Sequence, residues 1–186
     1  MKILITAFEP FDDNEINYSK EVLERLDNKV GINKEILPVE YNGSFTKMKE
    51  YIEKYNPTHI IMLGEARKYP GVRFETIASN ELGDKPDNIN FVPTSRFINE
   101  GASCRIFANL DFDLFLDSFK ETGIEVFKSF NAGNYVCNSL FYQTMEYLLE
   151  KDPSIKCGFI HIPDLTKYDI NGVVEGLDNF TDKTIK

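Results

Sequence analysis

The chain has 186 residues, of which 42% are hydrophobic and 27% charged, a composition typical of a globular protein rather than a disordered or membrane-embedded one. Its net charge of −9 combines 30 acidic with 21 basic residues, and no cluster of Lys and Arg marks a nucleic-acid surface. No run reaches the ~18 apolar residues of a membrane span and no signal-peptide pattern opens the chain, so we expect one cytoplasmic domain over 1–186, without nucleic-acid or membrane partners.

Short apolar runs alternate with helical patterns along the first half of the chain. The continuous run THIIMLG at 58–64 predicts a central strand covered on both faces, whereas VRFETIAS at 72–79 alternates more and predicts a strand nearer an edge. The other predicted elements are strands at 2–8 and 34–40 and helices at 18–28 and 44–55.

An irregular stretch from Glu81 to Asn109 follows, and long segments of this kind are often lids or binding loops. The alternation then resumes, so the whole pattern predicts an α/β fold. The elements predicted here are helices at 111–123 and 134–152, strands at 124–130 and 155–163, and a weak, glycine-interrupted helix at 169–180.

Cys137 lies in the first turn of the longest predicted helix. Unpaired backbone N–H groups and the helix dipole favour a thiolate there, and the preceding Ala132-Gly133 could form a tight turn with open donors for an oxyanion. The alternative is a small buried core residue, which position alone favours. The three widely spaced cysteines, Cys104, Cys137 and Cys157, support neither a disulfide framework nor a zinc site.

Only two histidines are available as a base for such a nucleophile. His161 lies near the C-terminal end of strand 155–163, where open α/β sheets bind ligands, and the N-terminus of the predicted helix that holds Cys137 faces the same edge. His59 lies within THIIMLG and is better explained as a packed strand residue. Together Cys137 and His161 leave the nucleophile and core interpretations evenly balanced.

Three further kinds of side chain are candidates for the same edge. Glu75 interrupts strand 72–79, where a buried unpaired carboxylate would be costly, although an exposed edge-strand glutamate is the simpler interpretation. Phe8 and Phe11 follow the first strand and could wall a small apolar pocket, with packing beneath the loop as the alternative. Asn17 is a candidate cap for the next helix.

Four separate blocks share one resemblance: ILITAFEPF with the following IN, LGEARKYPGVRFETIASN followed by PDN, AGNYVCNSLFY, and GFIHIP. In order and spacing, from residue 2 to residue 163, they resemble the signature blocks of the pyroglutamyl peptidase I family, cysteine peptidases that remove N-terminal pyroglutamate. The resemblance implies a three-layer α/β/α sandwich around an open, twisted, largely parallel but mixed sheet. It also implies a homodimer or homotetramer, and no metal or organic cofactor.

The resemblance further implies a Cys-His-Glu triad acting through a thioester, and a substrate site for peptides with N-terminal pyroglutamate. The residues are Cys137 as nucleophile, His161 as general base and acid, Glu75 as the acidic partner, Phe8 and Phe11 flanking the flat lactam ring, and Asn17 in the supporting N-terminal loop.

Several positions depart from the family pattern. Ala7 replaces a glycine, Asp12-Asp13 replaces a glycine pair, and the arginine before IPDN is absent, with Lys85 nearby. Arg67 falls two positions before the usual arginine, where Tyr69 stands. A lysine cannot reproduce the planar fork of an arginine, so the alternative is a catalytically impaired relative that binds a peptide or small metabolite. A nucleotide-binding domain is a weaker alternative, since no phosphate-binding glycine motif follows a predicted strand.

Overall fold

The computed structural model describes residues 1–12 and 14–185, so Asp13, one of the two aspartates noted above, lies outside the described residues, as does Lys186. Within these bounds the chain forms eight strands and five helices. The strands are β1 (Ile3–Phe8), β2 (Ile32–Leu37), β3 (His59–Glu65), β4 (Val72–Glu75), β5 (Ile77–Ser79), β6 (Arg105–Phe107), β7 (Val126–Ser129) and β8 (Lys156–Ile162). The helices are α1 (Tyr18–Arg25), α2 (Gly43–Tyr55), α3 (Phe112–Ser118), α4 (Val136–Lys151) and α5 (Ile170–Ile185).

Six of these strands form one mixed sheet in the order β2-β1-β3-β8-β4-β7. The strands β2, β1, β3 and β8 are parallel, whereas β4 runs antiparallel to β8 and parallel to β7. The remaining two, β5 and β6, form a small antiparallel sheet. The predicted α/β fold with a largely parallel, mixed sheet is therefore confirmed.

The main sheet is buried on both faces, as its apolar runs predict. Successive strand residues point to opposite faces, so in β3 Ile60 and Met62 pack with Leu140 of α4, while Ile61 and Leu63 pack with Val22 of α1. Helices α2 and α4 cover the first face, and α1, α3 and α5 cover the second. This is the three-layer sandwich that the resemblance implies.

The segment predicted as one strand at 72–79 divides between the two sheets. β4 lies next to the edge strand β7, and Thr76 then turns the chain toward β5, with its N–H and its hydroxyl both donating to the carbonyl of Ser129 at 2.8 and 2.7 Å. The partner of β5 is β6, within the stretch predicted as irregular. This strand was missed because it is three residues long and exposes Arg105 and Phe107, so it has little apolar pattern.

The last helix, α5, is longer and better packed than its glycines predict. A Cβ on Gly176 would lie 2.3 Å from the ring of Phe119, and one on Gly172 would lie 2.8 Å from the carbonyl oxygen of Thr122. These glycines therefore allow close approach to the segment after α3, and packing outweighs their poor helix propensity. In residues 1–12 and 14–185, none of the helices has the length and apolar character that a bilayer crossing requires.

Candidate active site

A cavity of about 460 Å³ lies at the carboxyl ends of β1, β3 and β8 and beside the start of α4. Cavities at the carboxyl ends of parallel strands are the usual ligand sites of α/β sheets. The structure brings all six predicted site residues to its wall: Phe8, Phe11, Asn17, Glu75, Cys137 and His161.

Cys137 is the second residue of α4, so the positive end of the helix lies at its sulfur. The N-cap residue, Tyr135, makes no side-chain capping bond, and the N–H groups of a first helical turn lack intrahelical acceptors. The turn before the helix contains Gly133 with a φ of 84°, a backbone conformation that favours glycine. Its N–H donates to Oδ1 of Asn131 at 2.8 Å. The Gly133 N–H expected as an open donor is therefore occupied, and the first turn of α4 is what presents backbone donors beside the thiol.

Gly64 lets this sulfur lie directly against the sheet. Gly64 of β3 is paired with His161 of β8, so the two residues are neighbours across the sheet. A Cβ on residue 64 would lie 3.0 Å from the sulfur of Cys137 and 2.7 Å from the ring of Phe159. The thiol therefore occupies space that a side chain at position 64 would fill, next to the imidazole.

His161 joins the thiol to a carboxylate. Its Nδ1–H donates to Oε1 of Glu75 at 2.9 Å, and both side chains are buried. The other ring nitrogen remains for the hydrogen bond with Cys137. Burial lowers the pKa of His161, but hydrogen bonds with Cys137 and Glu75 and their negative charge outweigh it and raise the pKa to about 9. The imidazole is then protonated at neutral pH, and an imidazolium beside a cysteine sulfur is the usual arrangement around a nucleophilic thiol.

The antiparallel pairing of β4 with β8 explains how Glu75 reaches this position. Arg73 is opposite His161 and Glu75 is opposite Phe159, so all four side chains share one face of the sheet. Glu75 is completely buried, and the interpretation of an exposed edge-strand glutamate is wrong. Arg73 was not predicted as a site residue, although the period of two along VRFE places it on the face of Glu75.

The two phenylalanines form one apolar wall of the cavity. Phe8 is buried and packs on Phe159 with ring centroids 6.4 Å apart, so it belongs to the core and to the cavity at once. Phe11 is half-buried, and its ring centroid is 6.2 Å from that of Tyr135. The wall is thus firmly packed at Phe8 and more open at Phe11.

Asn17 lies in the wall and caps α1. Its Oδ1 accepts from the N–H and the hydroxyl of Ser19 at 2.9 and 2.7 Å, and its Nδ2 donates to the carbonyl of Glu9 at 3.0 Å. Both polar groups of the side chain are therefore used within the N-terminal loop.

A partly buried ion pair, unforeseen from the sequence, ties this loop to the end of β3. Nε of Arg67 lies 2.6 Å from Oε1 of Glu65, and its Nη2 donates to the carbonyl of Ile16 at 2.9 Å. The other carboxylate oxygen of Glu65 accepts from the N–H of Tyr18 at 2.6 Å. The two hydrogen bonds to the loop, at Ile16 and Tyr18, join residues 51 and 47 positions apart, which no local pattern indicates.

A second ion pair crosses the mouth of the cavity. Nζ of Lys85 lies 2.7 Å from Oδ2 of Asp12, and it stands 4.5 Å from the ring centroid of Tyr135. Both partners are departures from the family pattern, so the substituted positions contact each other.

The remaining cysteines and the second histidine lie elsewhere. His59 is the first residue of β3, at the end of that strand remote from Gly64. Cys157 is fully buried, which raises the pKa of its thiol, and Cys104 is exposed. Among the described residues, no group of three or more His, Cys, Asp or Glu side chains is arranged to hold a metal ion.

In this α/β/α sandwich the thiol lies beside an imidazole, and the imidazole lies beside a carboxylate. This is the arrangement of a cysteine hydrolase. The family model of pyroglutamyl peptidase matches residues 1–183. The chain therefore belongs to the pyroglutamyl peptidase family.

Individual relatives align with this chain along most of their length. The pyrrolidone-carboxylate peptidase of Lactobacillus johnsonii is 35% identical over 176 residues, covering 92% of this chain and 81% of the relative. The corresponding protein of Lactobacillus helveticus is 36% identical over 177 residues, with 92% and 88% covered. The crystal structure of pyroglutamyl peptidase I from Bacillus amyloliquefaciens has a TM-score of 0.90 at 29% identity, covering 96% of this chain and 91% of its own.

Proposed function

We propose that this chain is a cysteine exopeptidase that removes N-terminal pyroglutamate from peptides, with Cys137 as nucleophile, His161 as acid and base, and Glu75 as the acidic partner. The observation that carries the proposal is the sulfur of Cys137 beside the buried His161–Glu75 pair in the cavity at the strand ends. Family membership supplies the substrate class.

The first half of the reaction forms an acyl-enzyme. The Cys137 thiolate attacks the pyroglutamyl carbonyl carbon, and N–H groups at the start of α4 stabilise the oxyanion. The imidazolium of His161 donates its proton to the leaving amine, so the C–N bond breaks and a thioester remains. Glu75 holds Nδ1 of the ring, which keeps the other nitrogen directed at the reacting atoms.

The second half regenerates the thiolate. Neutral His161 takes a proton from water as the water attacks the thioester carbonyl, and pyroglutamate leaves with the new hydroxyl oxygen. The released sulfur is again a thiolate beside an imidazolium. Such acid–base assistance is typically worth about 10²–10⁴ in rate.

The charges of the cavity suit a substrate without an α-amine. Three carboxylates line the described part of its wall, and each already lies beside a basic side chain: Asp12 with Lys85, Glu65 with Arg67, and Glu75 with His161. An aminopeptidase needs a carboxylate free to meet the ammonium group of its substrate. Phe8 and Phe11 instead provide apolar faces for a flat, neutral lactam ring, while Asn17 supports their loop.

Turnover of pyroglutamyl p-nitroanilide tests the proposal. We expect release of p-nitroaniline by the wild-type chain and none by Cys137→Ala, while Cys104→Ala, which removes an exposed thiol outside the cavity, retains full activity. Turnover that survives Cys137→Ala would exclude the cysteine mechanism. A Cys137 that reacts with iodoacetamide in a protein that cleaves no pyroglutamyl substrate would favour the impaired relative instead.

We also propose a homodimer or homotetramer located in the cytoplasm. The stretch after Lys85 supports self-association, because Ile89, Phe91, Val92 and Phe97 are each more than two-fifths exposed within a few residues of one another. Light scattering after size-exclusion chromatography tests the oligomer, and a monomer at micromolar concentration would contradict it. Fractionation of cells that express the chain tests the location.

A further inference from the structure

Arg73 occupies the strand position opposite His161 and next to Glu75 on the same face. Its side chain is only 19% exposed and lines the cavity. Arg73 has no role in the mechanism above, although its permanent charge lies beside Glu75, the buried acidic member of the proposed triad. A guanidinium in such a place requires an explanation, because burying a charge is costly.

Three elements hold this guanidinium in place. Its Nη2 donates to the hydroxyl of Ser129 in β7 at 2.7 Å, and its Nε lies 3.6 Å from Oε1 of Glu75 in β4. Its Cζ stands 4.2 Å from the ring centroid of Tyr69, in the loop before β4. The side chain is thus oriented by a hydrogen bond, an ion pair and an aromatic face.

Glu75 needs such a neighbour. Its Oε1 accepts from His161, but its buried Oε2 has no hydrogen-bond partner among residues 1–12 and 14–185. Burying a carboxylate that has a single hydrogen-bond donor is costly unless a positive charge lies close to it. The guanidinium of Arg73 supplies such a charge, with its Nε 3.6 Å from Oε1.

We propose that Arg73 is a positioning residue, whose guanidinium balances the buried charge of Glu75 and thereby holds the Glu75–His161 pair in place beside the thiol of Cys137. This inference rests on the function proposed above. The titratable or charged groups that line the cavity together with Arg73 are Glu75 on β4, His161 on β8, Cys137 on α4, Tyr69 in the preceding loop, and Asp12, Glu65, Arg67, Lys68, Lys85 and Tyr135. Lys128 of β7 packs over Phe112 on the opposite face of the sheet.

The test uses the pH dependence of Cys137 alkylation by iodoacetamide, followed by mass spectrometry in a Cys104→Ala background. Arg73→Met removes a positive charge from the site, so the site binds a proton more readily. The acid limb of the alkylation rate should therefore move up by about one pH unit. At a fixed pH on that limb the rate then falls about tenfold. Arg73→Lys keeps the positive charge, so the acid limb of its alkylation rate should stay at the wild-type pH, although the guanidinium hydrogen bond to Ser129 is lost.

Arg105→Met is the matched control, because it removes an exposed arginine on β6 and should leave the limb in place. A folded Arg73→Met protein with the wild-type limb would overturn the proposal, as would an equal shift in Arg105→Met. Alkylation needs no substrate, so these results are separate from the proposed activity. Absence of pyroglutamyl turnover in the wild-type chain would refute the proposed function while leaving the alkylation shift measurable.

Discussion

The sulfur of Cys137 lies directly against Gly64, and it fits there because Gly64 has no side chain. The sulfur lies 3.0 Å from the point that a Cβ on residue 64 would take. The same point is 2.7 Å from the ring of Phe159, so neither neighbour can simply be pushed aside. The glycine at the end of β3 is thus part of the reason that the thiol reaches the imidazole.

Gly64→Ala should therefore reduce activity through geometry alone. A displacement of the sulfur by about 1 Å is expected to lower kcat/KM by about 100-fold, with a loss of about 1–3 kcal/mol in the free energy of unfolding. Gly158→Ala is the matched control, since its Cβ would lie 2.6 Å from Leu110 on the opposite face of the sheet. It should cost similar stability in urea and keep near-normal turnover. Equal losses of activity in both variants would contradict this role for Gly64.

The raised pKa of His161 predicts how activity depends on pH. Because the imidazolium donates the proton to the leaving amine, kcat/KM should fall as pH rises through about 9. Glu75→Gln removes one of the groups that raise this pKa, so the alkaline limb should move to lower pH and the maximum rate should drop. A pH profile of p-nitroaniline release measures both effects. An alkaline limb unchanged by Glu75→Gln would show that the carboxylate does not tune the histidine.

The same pKa has a consequence for stability. A histidine whose pKa rises from 6.5 to about 9 on folding stabilises the protein fully below pH 6.5, and this contribution is lost as pH rises through about 9. The expected decline of the unfolding free energy over that window is roughly 1–3 kcal/mol. Urea titrations at several pH values would measure it. The decline should be smaller in Glu75→Gln, and an increase in stability over this window would contradict the assignment.

Phe11 offers a cleaner test of the apolar wall than Phe8. Phe11→Ala removes a half-buried ring and should raise KM roughly 5- to 20-fold with little change in kcat, because the lost contact is present throughout the reaction. Phe8→Ala opens a cavity in the core and should cost about 3–5 kcal/mol of stability. Phe107→Ala, at a ring that is 69% exposed on β6, is the control and should leave KM unchanged. Unchanged KM in Phe11→Ala would place the lactam ring elsewhere.

The ion pair between Lys85 and Asp12 should contribute little. Both side chains are nearly half exposed, and such pairs are worth about 0–1 kcal/mol. Lys85→Met is therefore expected to lower kcat/KM by less than about fivefold, an effect that fades as salt increases. Lys47→Met, which breaks an exposed pair with Glu50 on α2, is the control. A loss of about 100-fold in Lys85→Met would instead give this lysine a direct part in substrate binding.

Much of this architecture was predictable because local patterns determine it. The apolar run of β3 predicted a strand covered on both faces, and the helical stripe after Cys137 predicted α4. The position of Glu75 was not predictable from its strand, because its burial depends on antiparallel pairing with β8, which lies eighty residues further along. The hydrogen bonds from Arg67 to Ile16, from Tyr18 to Glu65 and from Arg73 to Ser129 are likewise tertiary. The length of α5 was underestimated because glycine lowers helix propensity. The sequence does not show that Gly176 makes room for the ring of Phe119.

The central position of β8 has a consequence for synthesis of the protein. β8 is the last strand in the sequence, yet it lies between β3 and β4 and contains His161. Until residue 162 has left the ribosome, β3 and β4 each lack a neighbour, and Cys137 has no imidazole beside it. The nascent chain is thus inert through most of translation, and insertion of this one strand both completes the sheet and creates the catalytic centre.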